Sequence, residues 1–474
     1  MYSFLMLGGL SFLLALVLTP VVRSISQRRG LVDVPDGTRK LHAIGIPRTG
    51  GVAILLAYLG AFAVLLATGS KGGMMVDLGV VGRLAPAVLV IFTVGLVDDV
   101  WGLSAWQKLT GQLLAAGVAF GSGVQLHGIG YQALPGWAEL PATILWLVMI
   151  TNAVNLIDGM DGLATGVALF ATFTILAAGL QQKNFGLVLA VVPLAGALLG
   201  FLRYNFNPAT VFLGDCGSLT IGFVLGCFGV FWSQKSATML GVTAPLLALA
   251  IPLLDSMLSV VRRFLRRQSI FDGDRGHVHH RLLAKGLTVR QAAVVLYAVS
   301  LGFAILSLVS SMLRDSYAGI VLVLFGAMTW IGVQSLGYVE INMAGRMILG
   351  GGFRRMLGGQ LIIRSFQEKL VESNEVKDIW RVLRDTSREL GFDRVEMQLF
   401  GQLYSEGLRM YDTSEAVWTA EVPLGGSDYV RLTRSFDEVT HQAAMGPFMD
   451  TVRKTLKEKH LSHYGGQRAR AAGA

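Results

Sequence analysis

The chain has 474 residues, 53% of them hydrophobic and only 15% charged, with a net charge of +9 and a mean hydropathy of +0.56. That balance belongs to a polytopic membrane protein, in which a positive charge reports topology and headgroup attraction and not nucleic-acid binding. Cys216 and Cys227 are the only cysteines, which excludes both a disulfide framework and a thiolate metal cage.

Stretches free of Asp, Glu, Lys and Arg run at about 3–22, 49–70, 84–97, 109–126, 140–157, 162–182, 184–202, 216–234, 236–254, 291–313 and 316–336. Most reach the roughly 20 residues that a helix needs to cross the hydrocarbon, and the 84–97 run does so by including Asp98 and Asp99. Eleven spans are therefore expected, in an all-α membrane bundle. The first run lacks a basic n-region and an Ala-x-Ala site, so a retained helix is expected there and not a signal peptide. Alternate loops carry 16 and 5 Lys and Arg. The positive-inside rule then puts the N-terminus outside, the C-terminus inside, and every acidic cluster on the cytoplasmic side. Three small-xxx-small pairs, Gly117 with Gly121, Gly196 with Gly200 and Gly222 with Gly226, are expected to bring helices close.

The acids stand at the ends of these runs, where a charge costs roughly 2.5–3.5 kcal/mol even on the lenient insertion scale. Asp98-Asp99 closes the third run and precedes Lys108. Neighbouring carboxylates on a regular helix cannot aim at one spot, so one is expected at the reaction centre and the other to orient a metal, a lysine or a water. Next comes Asn152-Ala-Val-Asn155-Leu-Ile-Asp158-Gly-Met-Asp161-Gly162, where Gly159 and Gly162 predict a turn with side chains converging at the membrane surface. The EF-hand spacing is absent, and an Asx-rich turn is the plain alternative. Asp215 follows Asn205-Phe-Asn207-Pro208-Ala-Thr-Val-Phe212-Leu-Gly214 at the start of a further run, where the helix dipole alone would favour one carboxylate. Asp255 lies near the end of the ninth run. Then Arg275-Gly-His277-Val-His279-His280-Arg281 gathers three of the eight histidines within four positions. Without cysteines and beside arginines, such a loop suits phosphate better than zinc.

Oxygen ligands imply a hard cation, Mg2+ with Mn2+ as a substitute. Hard cation, basic loop and lipid interface together point to phosphoryl transfer on a membrane-embedded substrate. Neither a Walker loop nor a Rossmann fingerprint occurs, which argues against an ATPase or a dehydrogenase. A cation-coupled transporter is the rival from another class. It would set its acids near mid-bilayer on broken helices, whereas these lie toward helix ends.

Beyond about residue 340 the composition changes: 17 of the 31 acids lie after residue 345. A connector is expected over 341–360 and a cytoplasmic α+β domain over 361–474. Val376, Ile379, Trp380, Leu383 and Leu390 recur at helical spacing, Val395, Met397 and Leu399 alternate like a strand, and Phe448, Val452 and Leu456 return to helical period. That domain carries no catalytic motif, and a regulatory or partner-binding role is the default.

Residues 1 to about 340 resemble the polyprenyl-phosphate N-acetylhexosamine-1-phosphate transferases of glycosyltransferase family 4. The likeness rests on Asp98-Asp99, the Asn152 to Leu163 string, Asn205 with Pro208-Ala209, Phe212-Leu-Gly-Asp215-Cys-Gly-Ser218-Leu, and His277-Val-His279-His280, in family order. The H-x-H-H form followed by Arg281-Leu-Leu, with Arg39-Lys-Leu-His42 through Pro47-Arg48-Thr-Gly50-Gly51, looks like the N-acetylglucosamine branch. The muramoyl-pentapeptide branch, the alternative, has three consecutive histidines. The resemblance implies a bundle of ten or eleven spans, often a homodimer, in the inner (plasma) membrane, with a Mg2+ site on the cytoplasmic face. It implies transfer of N-acetylglucosamine 1-phosphate from a UDP-N-acetylhexosamine to undecaprenyl phosphate, with release of UMP, as the first membrane step of a cell-envelope polysaccharide. Carried over residue by residue, it assigns Asp215 and Asn155 to the metal and Asp158 to the diphosphate. Asp161, Asn205 and Phe212 match uridine-pocket positions, and Asp98 is the candidate base with Asp99 beside it. Lys108 and His279 or His280 would hold phosphates, His277, Arg281 and Arg48 would bind substrate, and His279 and His280 join Asp98, Asp99 and Asp158 as the catalytic candidates. Direct displacement is expected, not a covalent aspartyl intermediate, because a lipid phosphate is already an anionic nucleophile.

Overall fold

The computed structural model describes residues 2–33, 45–69, 78–129, 132–234, 246–265, 276–312, 318–336, 352–373, 375–408, 417–435 and 445–458. The expectations for Arg39, Lys40, His42 and Arg275 lie outside the described residues, as does most of the 236–254 run. The chain divides into two compact units, 1–337 and 338–474.

The first unit is helical: α1 Tyr2–Arg28, α2 Gly50–Gly69, α3 Gly79–Trp101, α4 Ala105–Gly121, α5 Gly136–Ile157, α6 Leu163–Gln181, α7 Phe185–Asn205, α8 Asp215–Gln234, α9 Ala250–Leu265, α10 Val278–Ala284, α11 Val289–Met312 and α12 Ala318–Ser335. Among the described residues eight of these, α1 to α3, α5 to α8 and α11, are long and apolar enough to cross a membrane, so this is a multi-pass membrane protein. Helix α4, of 17 residues, and α12, of 18, fill two more of the expected runs.

Helix α8 is the axis of the bundle. It packs on α3 and α5 and touches α2 and α6, and 94% of its most apolar window is buried, against 22% for α3. Two of the glycine pairs explain close packing. A Cβ on Gly222 would stand 2.9 Å from Thr151 Cα of α5, and one on Gly200 would stand 2.6 Å from the Phe12 carbonyl of α1. Gly226 adds a carbonyl that accepts the buried Trp146 indole at 2.9 Å. The third pair departs from expectation, because a Cβ on Gly117 or Gly121 would meet nothing within 4 Å among the described residues.

The second unit has helices α13 Gly352–Glu372 and α14 Val376–Glu389, four strands, and a last helix over 445–458. The antiparallel sheet has the order β6-β5-β8-β7, with β5 Arg394–Leu399, β6 Gln402–Gly407, β7 Val417–Gly425 and β8 Asp428–Ser435. Its core takes Ile379, Leu383, Val395, Met397, Leu399, Phe448, Val452 and Leu456, the positions whose periodicity predicted helix, strand and helix. The connector expected as far as residue 360 is helical from Gly352. Burial of Phe366 and Leu370 in the second core outweighs the low helix propensity of Gly358 and Gly359.

Candidate active site

Five helix ends meet where the acids gather. Helix α3 stops at Gly102, whose φ of 73° turns the chain, and its N–H donates to the Asp98 carbonyl at 2.9 Å. Ser104 then starts α4 with a capping box: its backbone N–H donates to Gln107 Oε1 at 2.8 Å, and its hydroxyl accepts the Gln107 N–H at 3.4 Å. Lys108 therefore falls in the first turn of α4 and reaches back. Its ammonium lies 2.5 Å from Asp98 Oδ2 and 2.6 Å from Asp215 Oδ2. The other Asp98 oxygen accepts the Leu103 N–H at 2.6 Å. Asn155, at the end of α5, donates its amide to Asp215 Oδ1 at 3.0 Å and to the Ser218 hydroxyl at 2.8 Å. Residues 60 and 107 positions away from Asp215 in sequence thus fix its carboxylate from both sides.

Asp99 takes a different direction from its neighbour. Its two carboxylate oxygens accept the Asp215 and Cys216 N–H groups at 2.9 Å each. It is thereby the cap of α8, satisfying two of the amide donors that a helix start leaves open. Arg48 donates to the Asp99 carbonyl at 3.1 and 2.7 Å. This arrangement sets where α8 begins, and through it where Asp215 stands. Gly214, at φ 72°, makes the turn into α8 where a Cβ would overlap the Arg48 carbonyl.

The Asn155 to Gly162 string opens after Ile157 as predicted, and α6 restarts at Leu163 behind Gly162, whose φ is 72°. Asp161 accepts the Asn207 amide at 2.9 Å and the Ala209 N–H at 3.0 Å, which ties the turn to the loop before α8. Asn205 is buried, accepting from Thr165 at 2.7 Å and donating to the Val211 carbonyl at 3.0 Å.

Together these groups wall a cavity of about 310 Å³, lined by Asp98, Asp99, Asp158, Asp161, Asp215, Arg48, Asn205 and Phe212, with Asp33, Asn207, Gly214 and Val289. Burial first, then the charges of Asp215, Asp99 and Asp161, push the Asp158 carboxyl well above the usual carboxylate range. Among the described residues no three His, Cys, Asp or Glu side chains form a metal cage. Asp98, Asp99, Asp158, Asp161 and Asp215 nevertheless bring hard oxygen donors to the cavity, the donor type that suits Mg2+.

The histidine loop lies behind this wall. His277 Nδ1 is 2.9 Å from Asp255 Oδ2, and Asp255 Oδ1 accepts the Val278 N–H at 2.8 Å, capping α10. His279, 2% exposed, stacks between His277 and His280, at ring separations of 5.7 and 4.3 Å. Among the described residues neither of its ring nitrogens has a hydrogen-bond partner. Burial lowers its pKa to about 3. Its Nε2 faces Gly159, at 2.8 Å from where a Cβ would be. Arg281 turns elsewhere, to the Gly276 and Leu336 carbonyls at 3.3 and 3.4 Å, and none of His277, His279, His280 and Arg281 lines the cavity. The loop touches the acid turn through His279, at Gly159.

Residues 82–233 match the model of glycosyl transferase family 4. A probable undecaprenyl-phosphate N-acetylglucosaminyl 1-phosphate transferase of Bacillus subtilis (strain 168) is 37% identical over 305 residues, covering 63% of this chain and 82% of that protein. The chain belongs to glycosyl transferase family 4. A decaprenyl-phosphate N-acetylglucosaminephosphotransferase of Mycobacterium tuberculosis (strain H37Rv) is a second relative, 34% identical over 354 residues, 67% of this chain and 84% of that one. A phospho-N-acetylmuramoyl-pentapeptide-transferase of Lactiplantibacillus plantarum is 29% identical over 317 residues, 62% of this chain and 94% of that one. The family match spans every acid from Asp98 to Asp215 and stops before the histidine loop.

Sequence reasoning on this family 4 chain missed three contributors. Asp33 gave no signal, since it enters the cavity through a two-residue strand paired with Ile46. Asp255 was visible as an acid near the end of an apolar run and His277 as part of the histidine loop, but their pairing gave no signal. Ser218 was quoted in a motif, and only its bond to Asn155 gives it a task.

Proposed function

We propose that this protein transfers an N-acetylhexosamine 1-phosphate, N-acetylglucosamine 1-phosphate first among the candidates, from its UDP-sugar to a polyprenyl phosphate in the plasma membrane. The observation that carries the proposal is the Lys108 ammonium held between Asp98 and Asp215 at 2.5 and 2.6 Å, two carboxylates that line a polar cavity together with Asp158 and Asp161. Family membership and the names of the relatives support the same reaction.

In this reading an oxygen of the acceptor phosphate bonds to the β-phosphorus of the UDP-sugar. The bond from that phosphorus to the bridging oxygen breaks, and UMP leaves with that oxygen. Asp98 faces the acceptor and takes any proton left on its phosphate. Lys108 balances the charge that gathers between acceptor and donor, a task for a preorganised cation in a site of low dielectric. The turn from Asp158 to Asp161, with Asn205 and Phe212, receives the donor. Asp215 and Asn155 would hold Mg2+, which supplies charge neutralisation to the diphosphate. The cavity end of the bundle is read as cytoplasmic, where a soluble nucleotide sugar meets the lipid; the excess of Lys and Arg in the loops of that side supports it.

The test is a turnover assay with purified protein, polyprenyl phosphate, Mg2+ and a panel of UDP-N-acetylhexosamines, UMP release being the readout. Release with UDP-N-acetylglucosamine is expected, and its loss in Asp215→Asn, with that variant still folded in detergent. Release with UDP-N-acetylmuramoyl-pentapeptide alone would move the protein to the other branch, and a fully active Asp215→Asn would remove the metal assignment. Labelled phospho-enzyme formed from the donor without acceptor would overturn direct displacement.

A further inference from the structure

The turn that carries Asp158 and Asp161 is gripped from outside the cavity by a single stretch of chain, residues 277–297. His279 rests against Gly159, as described. Tyr297, two turns into α11, donates its hydroxyl to the Gly162 carbonyl at 2.6 Å. That carbonyl also accepts the Gly166 N–H at 2.9 Å, so the phenol fixes the first peptide of α6 from the side. The Tyr297 ring occupies the space over Gly166, where a Cβ would overlap it. Phe206 lies against the same ring, 6.3 Å between centroids, and the next residue, Asn207, is the one whose amide holds Asp161. Tyr297 therefore reaches the acid turn by two routes, through the Gly162 peptide and through Phe206 to Asn207.

We propose that Tyr297 is a positioning residue for the donor: by fixing the Gly162 carbonyl and backing Phe206, it sets the direction in which Asp158 and Asp161 face the UDP-sugar. This rests on the reading that the turn receives the donor. A five-residue turn between two helices has no sheet to hold it, and in a membrane bundle water does not replace a lost partner cheaply. Nothing in the acceptor half, Asp98 with Lys108, depends on Tyr297.

Tyr297→Phe keeps the ring in its notch and removes only the hydroxyl. Two measurements decide the matter: the KM for each substrate, and direct titration of UDP-N-acetylglucosamine onto the detergent-purified protein. Loss of one net hydrogen bond should weaken donor KM and donor binding by up to about fivefold, with the polyprenyl phosphate KM unchanged. Gly166→Ala, which displaces the ring from the other side, should weaken donor binding in the same direction. Wild-type donor binding in Tyr297→Phe would overturn the inference. So would equal losses for both substrates with a lowered midpoint, the mark of a merely structural tyrosine. Wild-type protein that binds the UDP-sugar but releases no UMP would sink the proposed reaction alone, and the titration would still decide Tyr297.

Discussion

At the scale of single residues the site is an exercise in placing charges beside apolar helices. Lys108 sits within 2.6 Å of two carboxylates, so Lys108→Met leaves two facing anions without their cation. UMP release is expected to fall at least a hundredfold, since mislaid charge in such a site costs several kcal/mol. The thermal midpoint of that variant should also rise more on adding Mg2+ than the wild type does, because the ion then takes over a charge the lysine no longer supplies. A smaller rise than in wild type would contradict this. His279 gives a pH prediction with a definite sign. Its folded pKa of about 3 lies below the ordinary value of about 6.5, so between those limits the unfolded chain binds more protons. The stability due to neutral His279 is complete above pH about 6.5 and drains away as the pH falls toward 3. Midpoints measured from pH 7 down to pH 5 should therefore fall less steeply in His279→Gln than in wild type, and parallel slopes would refute the claim.

Helices and their ends decide what the sequence could and could not reveal. The turn after Ile157 was legible because two glycines interrupt an apolar run, and Lys108 was legible as a cation ten positions past Asp98. What each acid does was not legible, because the roles depend on helices meeting. Asp98 and Asp99 are chemically identical neighbours, and only the packing of α3 on α8 makes one a partner of lysine and the other a helix cap. The glycine pairs make the same point: Gly222 packs on α5, whereas a Cβ on Gly117 would meet nothing within 4 Å among the described residues, though the sequence motif is the same. Gly222→Leu should force α5 from α8, part Asn155 from Asp215, and cost roughly 1–3 kcal/mol or more by overpacking, with loss of turnover. Gly117→Leu should leave both midpoint and turnover near wild type. Equal behaviour of the two variants would show that the α5–α8 approach does not set the site.

For the molecule as a whole, composition alone announced a membrane bundle followed by a soluble unit, because hydropathy and acid density change together near residue 340. Within the stretch expected as a connector, burial of Phe366 and Leu370 further along carries a helix back to Gly352. Strand β6, Gln402–Gly407, was missed because its exposed, polar residues lack the alternation that marked β5. Every residue assigned to the reaction belongs to the first unit, residues 1–337, so protein truncated after residue 337 should retain UMP release in detergent. Abolished turnover in a folded truncation would make the second unit part of the enzyme. The dipeptide at the close of α3 has one more implication. Asp99 caps α8 through two backbone amides, while its neighbour engages the lysine. A small molecule that drew the Lys108 ammonium to itself would disarm the charge pair yet leave the central helix anchored, and such an inhibitor would silence the protein without unfolding it.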